Sequence, residues 1–147
     1  NNILVDSKNS DSVLELFQEF IPILILLKDL EKVELIFDEY YSTLLDYEHW
    51  DHVYIERFNL IALMLVYLKK GQIDLLPNLF IYFNNNITFY SSNLYQKLLF
   101  SIVKYHYFLR RVGLSEGTKL EKNNYLFLAN KLEFSFFSES YLENYFD

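Results

Sequence analysis

The chain contains no cysteine. That removes disulfides, thiolate nucleophiles and cysteine-bound metals, and it fits a reducing compartment, with the cytoplasm as the default. Glycine and proline are almost as scarce, three and two in 147 residues. A sandwich of short strands would need such turn residues about every ten positions, so their scarcity argues against that class. No glycine-rich phosphate loop, nucleophile elbow or metal-ligand cluster is present either, which leaves enzyme chemistry without its usual starting points. Basic residues are outnumbered, 13 Lys and Arg against 20 Asp and Glu, for a net charge of −7. A chain of that balance does not itself wrap the phosphates of a nucleic acid. Long apolar runs are also missing. The segments FIPILILL, Phe20 to Leu27, and LIALMLVYL, Leu60 to Leu68, fall short of the roughly 20 residues that span a bilayer. They read as core, and no membrane association is expected. The N-terminus lacks the basic region, apolar run and cleavage site of a secretory signal.

Apolar side chains, by contrast, make up 52% of the sequence and aromatic ones 19%, enough to bury the core of one globular domain. We expect a linker remnant over residues 1–10 and a helical domain over 11–147. The scarcity of Gly and Pro and the spacing of apolar residues predict an all-α fold of about seven helices. Asp11 or Ser12 caps a first helix towards Lys28, with Pro22 either kinking it or opening a new turn. Asp29 begins a second, in which Val33, Phe37, Tyr40, Tyr41, Leu44 and Leu45 recur at threes and fours until about Asp46. A third runs from about Glu48 to Lys70 and is stopped by Gly71, with Lys69 and Lys70 in its last turn. A fourth runs from Gln72 to about Asn84, ended by the Asn84 to Asn86 triplet. Ser91 or Ser92 caps a fifth to Arg111 or Val112. Ser115 caps a sixth through Leu132, and a short seventh spans about Ser138 to Tyr145.

Helices three and four, and then five and six, form two helix-turn-helix units starting about 40 residues apart, close to the period of tetratricopeptide-like (TPR-like) repeats. The tetratricopeptide signature residues are absent. The expected architecture is therefore an irregular right-handed α-solenoid with a concave face, in preference to a plain bundle.

The segment LLDYEHWDHVYIERFNLIALML resembles a characteristic helix of the Rgg/MutR family of peptide-responsive transcription regulators, through Leu45, Tyr47, Glu48, Trp50 and Phe58. The stretch from YQKLLFSIVKYHYFLRRVGLSEGTKL onwards is similar to that family's long helix, Glu-Gly turn, following helix and final helix. The similarity runs from about Leu30 to Tyr145. Tyr54 stands where the family pattern has a glutamate, and Asp51 where a glycine often follows the tryptophan. The resemblance implies a two-part protein: an upstream helix-turn-helix reads DNA, and a helical-repeat domain dimerises and binds a short signalling peptide. This chain would be the second part, a homodimer that meets DNA only through a domain missing from it, with no cofactor.

Several residues are candidates for a site. His49 and His52 share a side of the third helix beside Glu48 and Asp51, but a third ligand for a metal is lacking. They also have no nucleophile beside them for acid/base catalysis. Their ordinary reading is a solvated helix start, where the acids suit the dipole. No catalytic or metal site is expected. Arg57 falls inside the stripe of Trp50, Tyr54, Ile61, Met64 and Leu68. It either pairs with an acid on a neighbouring helix or clamps a peptide carboxylate. Lys97, Lys104 and Arg111 recur every seven residues on the fifth helix, as a solvated stripe or as the wall of an anion-attracting groove. Asn59, Asn93, Asn123, Asn124 and Asn130 are either caps and surface residues or readers of a peptide backbone, since an amide donates and accepts at once. The expected peptide-binding set is thus Tyr54, Arg57, Asn59, Asn93, Lys97, Lys104 and Arg111. Tyr105, Tyr107, Phe108, Phe127, Phe134, Phe136 and Phe137 read as core or dimer seam, and FSFFSESYLENYF as a subunit contact. Two functions remain open: a peptide-sensing regulatory domain, or a helical protein-binding scaffold without a small ligand.

Overall fold

A computed structural model of the chain describes residues 20–39, 53–90, 93–133 and 135–147, with side chains for 20–38, 58–85, 93–133 and 135–147. Every regular element among the described residues is helical. We number them α1 (20–26), α2 (Leu30–Glu39), α3 (Val53–Lys69), α4 (Leu76–Tyr90), α5 (Leu94–Val112), α6 (Glu116–Leu132) and α7 (Glu139–Glu143). A 3-10 turn, Ile73–Leu75, leads into α4. By backbone proximity the chain divides into two compact units, Asn1–Ala62 and Leu63–Asp147, with the division falling inside α3.

In the first unit α1 buries Ile21 and Ile25, and α2 buries Leu30, Val33 and Phe37. The spacing of three and four gives each helix one apolar face. Lys28 ends α1 in the left-handed region, at φ 61°. Its N–H donates to the Ile25 carbonyl at 3.1 Å and that of Asp29 to Leu24 at 2.9 Å, the paired bonds of a Schellman turn. The expected first-helix cap, the end of the second helix after Glu39 and the start of the third before Val53 lie outside the described residues.

In α3, Asn59 to Val66 and Leu68 are all buried, because the sequence there is apolar on every side and such a helix is stable only as an interior element. Gly71 stops it as expected, again by a Schellman turn, with Gly71 donating to Leu68 at 3.0 Å and Gln72 to Tyr67 at 2.8 Å. Its φ of 75° is one that glycine adopts without penalty.

The helix boundaries differ from expectation at several places: α4 begins at Leu76 after the 3-10 turn rather than at Gln72, and α7 ends at Glu143 rather than near Tyr145. α4 does not stop at the asparagine triplet but continues to Tyr90. An interior Asn costs at most roughly 0.7 kcal/mol of helix propensity, and no glycine or proline follows to break the helix. Pro77, one residue inside its start, is tolerated because the first-turn N–H groups have no intrahelical partner. The cap of α5 is Asn93, whose side chain accepts from the Gln96 N–H at 3.0 Å, rather than Ser91 or Ser92. α6 begins at the expected Ser115, which accepts from Thr118.

α5 and α6 form an antiparallel hairpin across the turn Gly113 to Ser115. The register is visible in side chains that face each other one turn at a time: Phe108 beside Gly117 and Lys104 beside Glu121. Thr118 donates from its hydroxyl to the Gly113 carbonyl at 2.6 Å, which locks the turn to the first coil of α6. α4 joins α5 through rings. Phe83 and Phe100 have centroids 4.2 Å apart, and Phe80 meets Tyr107 edge to face at 5.2 Å.

The C-terminal segment docks on the same hairpin. Leu142 and Tyr145 are buried. His106, itself buried, donates from Nε2 to the Leu142 carbonyl at 2.7 Å, and the Tyr125 hydroxyl donates to the Ser138 carbonyl at 2.9 Å. The Arg110 guanidinium lies 4.9 Å from the centre of the Phe146 ring and also donates to the Leu68 carbonyl at the end of α3. Lys122 bridges Glu139 and, at 2.8 Å, Glu143. Most rings of the C-terminal aromatic segment are therefore spent inside their own chain. Phe136 stays half exposed, and Phe134 lies outside the described residues.

The Lys122 bridge adds a small, pH-dependent contribution to this docking. Hydrogen bonding to Lys122 holds the Glu139 carboxyl below its ordinary value of 4.5. The same two acids, through hydrogen bonds led by Glu139, raise the Lys122 ammonium above 10.5. The bridge contributes fully between those two ordinary values; it is lost as pH falls through the lowered Glu139 value or rises through the raised Lys122 value. Burial pushes Tyr95 up to about 12 and raises Tyr125, Tyr141 and Tyr145 as well. Their ionisation therefore favours the unfolded chain once pH passes the ordinary tyrosine value of 10.0. Tyrosinate absorbance should accordingly rise together with loss of helical circular dichroism. A tyrosinate transition complete while the helical signal is intact would contradict this packing.

Candidate functional site

The hairpin register that pairs Lys104 with Glu121 also brings Ser101 to the level of Asn124 and Lys97 to that of Leu128. Between the two helices, with Asn84 of α4 also in its lining, lies an open groove of about 300 Å³. Phe100, Phe127 and Leu128 supply its apolar wall; Asn84, Lys97, Ser101, Lys104 and Asn124 supply its polar groups. Phe127 is 59% exposed although it is a phenyl ring, with Lys131 Nζ 4.7 Å from its centre. Three ammonium groups thus surround one apolar surface in a chain of net negative charge.

The lysines are not equivalent. Lys104 is committed: its Nζ lies 3.3 Å from Oε1 of Glu121, whose side chain is only 8% exposed, and 4.6 Å from the centre of the Phe100 ring. The other oxygen of Glu121, Oε2, is buried without a hydrogen-bond partner among the described residues. A carboxylate so placed depends on its one cation, since desolvation penalises an unpaired charge. Lys97 has no acidic partner among the described residues and is half-buried beside the same groove. It is the groove's available positive charge.

Of the residues expected to bind a peptide, the structure brings Lys97 and Lys104 together in this groove. Arg111 is separated from them. Its guanidinium pairs with Asp74 at 2.9 Å beyond the far end of the hairpin. Two heptads of helix place Arg111 roughly 21 Å along the axis from Lys97, beyond the reach of the groove. Asn93 caps α5 and is engaged by its own backbone. Asn59 is 1% exposed, and its Oδ1 finds no hydrogen-bond partner among the described residues. It belongs to the first unit and lines no part of the groove. Tyr54 and Arg57 lie in the first turn or two of α3, but their side chains are outside the described residues. So are His49, Trp50 and His52 in full. Among the described residues no cluster of three His, Asp or Glu could hold a metal, and no helix is long and apolar enough to cross a membrane.

Asn84, Phe100, Ser101 and Leu128 were not among the expected residues, nor was Glu121. A signal for Glu121 is present in the sequence: it follows Gly113 at nearly the same distance as Lys104 precedes it, as facing residues of a helical hairpin do. Of the other amide candidates, Asn124 lines the groove. Asn130 lines a second, shallower hollow beside Glu133 and Glu139, and Asn123 is exposed.

The described residues form an all-α fold with an open groove between α5 and α6 whose polar groups are of the kinds that hold an anion or an amide. Compared with known proteins, the chain matches no family model, no curated protein and no solved structure.

Replacing Lys104 by Met strands the Glu121 carboxylate. The expected loss is roughly 2 kcal/mol in urea unfolding, between the values for exposed and fully buried pairs. Replacing Glu121 by Leu as well should recover most of it. Equal losses in the single and double variants would show that the pair is not coupled.

Proposed function

We propose that this chain is the ligand-binding and dimerising part of a transcription regulator that senses a short apolar signalling peptide. It acts in the cytoplasm without catalysis of its own and contacts DNA only through a separate helix-turn-helix domain, as the segment around Trp50 suggests by its resemblance to the Rgg/MutR family. The observation that carries the reading is the α5–α6 groove. An apolar floor with an exposed Phe127, two amides at Asn84 and Asn124, and a Lys97 without an acidic partner among the described residues is the combination that recognises an extended peptide, with side chains on the rings and backbone on the amides. Repeated helical pairs of TPR-like type, stacked as an irregular α-solenoid, would present such a groove along a concave face. Peptide binding would then bias the equilibrium between two arrangements of a homodimer.

A second reading, a helical scaffold that docks another protein, is favoured by a different observation. Val112, Leu114 and Leu120 are 61%, 81% and 58% exposed around the turn of the hairpin. Surface apolar side chains gathered in this way commonly mark protein contacts.

The two readings separate on titration of the whole chain with a library of apolar octapeptides, followed by calorimetry. Saturable binding that is lost in Asn124→Leu supports peptide sensing in this groove. No binding by a chain with intact helical circular dichroism moves the assignment to the scaffold.

A further inference from the structure

We infer that the α5–α6 groove selects a ligand bearing a single carboxylate, the free C-terminus of a peptide whose last side chain is apolar, and that Glu121 sets this charge count without touching the ligand. The inference rests on the peptide-binding reading of the same groove and names what that groove discriminates.

The argument begins with charge. Lys97 and Lys104 both line the groove, and two ammonium groups at that spacing would suit a dianion such as a phosphate. Lys104, however, is neutralised by Glu121 at 3.3 Å. Drawing its ammonium towards a ligand would leave a side chain that is 8% exposed with neither oxygen partnered, since Oε2 already lacks a hydrogen bond among the described residues. That penalty opposes any ligand needing both lysines. Of the two lysines that line the groove, Lys97 then remains to make a charge-assisted hydrogen bond, while Lys131 sits over the Phe127 ring outside the lining, and one ammonium matches one carboxylate. The amide of Asn124, on the facing helix, is placed to donate to the second carboxylate oxygen or to read the last peptide group.

The rest of the groove specifies the neighbour of that carboxylate. Phe127 and Leu128 sit beside Lys97 on the opposite helix, and Phe127 leaves more than half its surface uncovered. An apolar terminal side chain would cover it and contribute about 25 cal/mol for each Å² removed from water. Lys131 over the same ring adds positive potential at the rim, which favours an anionic end over a neutral one. Glu121 is therefore a positioning residue: it holds Lys104 against Phe100 and away from the ligand.

The probe is a library of N-acetyl octapeptides ending in Leu or Phe. Each is made as the free acid, as the C-terminal amide, and as a free acid with phosphoserine added before the last residue, and all are titrated calorimetrically into the whole chain. The free acids should bind about tenfold tighter than the amides at low ionic strength, with the difference shrinking in high salt. Lys97→Gln should erase the difference and Lys97→Arg should restore it. The phosphoserine peptides should gain nothing on the native chain but several-fold on Glu121→Gln, which frees Lys104 at little change in shape. A structural role for Glu121 alone would lower all affinities together and leave that preference unmoved, which would overturn the positioning role. Acids and amides binding equally would overturn the carboxylate inference and leave peptide sensing standing. Failure of every peptide to bind a folded chain would overturn both.

Discussion

The pairing of α5 with α6 is the constraint on which the second unit depends. Their turn allows one register, because Gly113 supplies a backbone angle of φ 72° and the Thr118 hydroxyl closes on its carbonyl. Once that register is set, each face of the hairpin acquires its neighbours without further choice. One face receives the rings of α4 through Phe80 and Phe83. Another receives the C-terminal segment through His106, Arg110, Lys122 and Tyr125. The groove opens between the two helices beside Asn84 of α4.

The same hairpin shows how a buried charge shapes a surface. A glutamate inside an apolar layer is tolerated only with a partner, and Lys104 provides it from the opposite helix. The consequence reaches the exterior, because a lysine held by an interior acid is a weaker attractor for a ligand than its position implies. Lys97, one heptad earlier on α5, has no such acid among the described residues and lines the same groove half-buried. Two identical side chains on one stripe thus differ in role through a residue on another helix.

The C-terminal segment illustrates a related point about short elements. A helix of five residues, Glu139–Glu143, has little stability of its own. It is held by the Ser138 cap, by burial of Leu142 and Tyr145, and by side chains that reach from α5 and α6 to its backbone. Because those donors belong to the hairpin, the segment and the hairpin stand or fall together, and the aromatic residues that look adhesive in the sequence are largely occupied at home.

The sequence by itself determined the helical class, the stops at Gly71 and Gly113, the cap at Ser115 and the interior character of α3, because each depends on chemistry within a few residues: backbone angles, a capping oxygen, the spacing of apolar side chains. It also marked Lys97 and Lys104 as neighbours on one helix face, since helical geometry is local. It did not show that α4 runs through the asparagine triplet, because an unfavourable propensity of a few tenths of a kcal/mol per residue does not stop a helix that no glycine or proline breaks. Nor did it show that Arg111 would turn to Asp74, that Asn93 would be consumed as a cap, or that Glu121 would claim Lys104. Those outcomes were decided by tertiary structure, for each depends on which residue of one helix stands opposite which residue of another. That register is set by packing across the turn, and nothing within either helix alone encodes it.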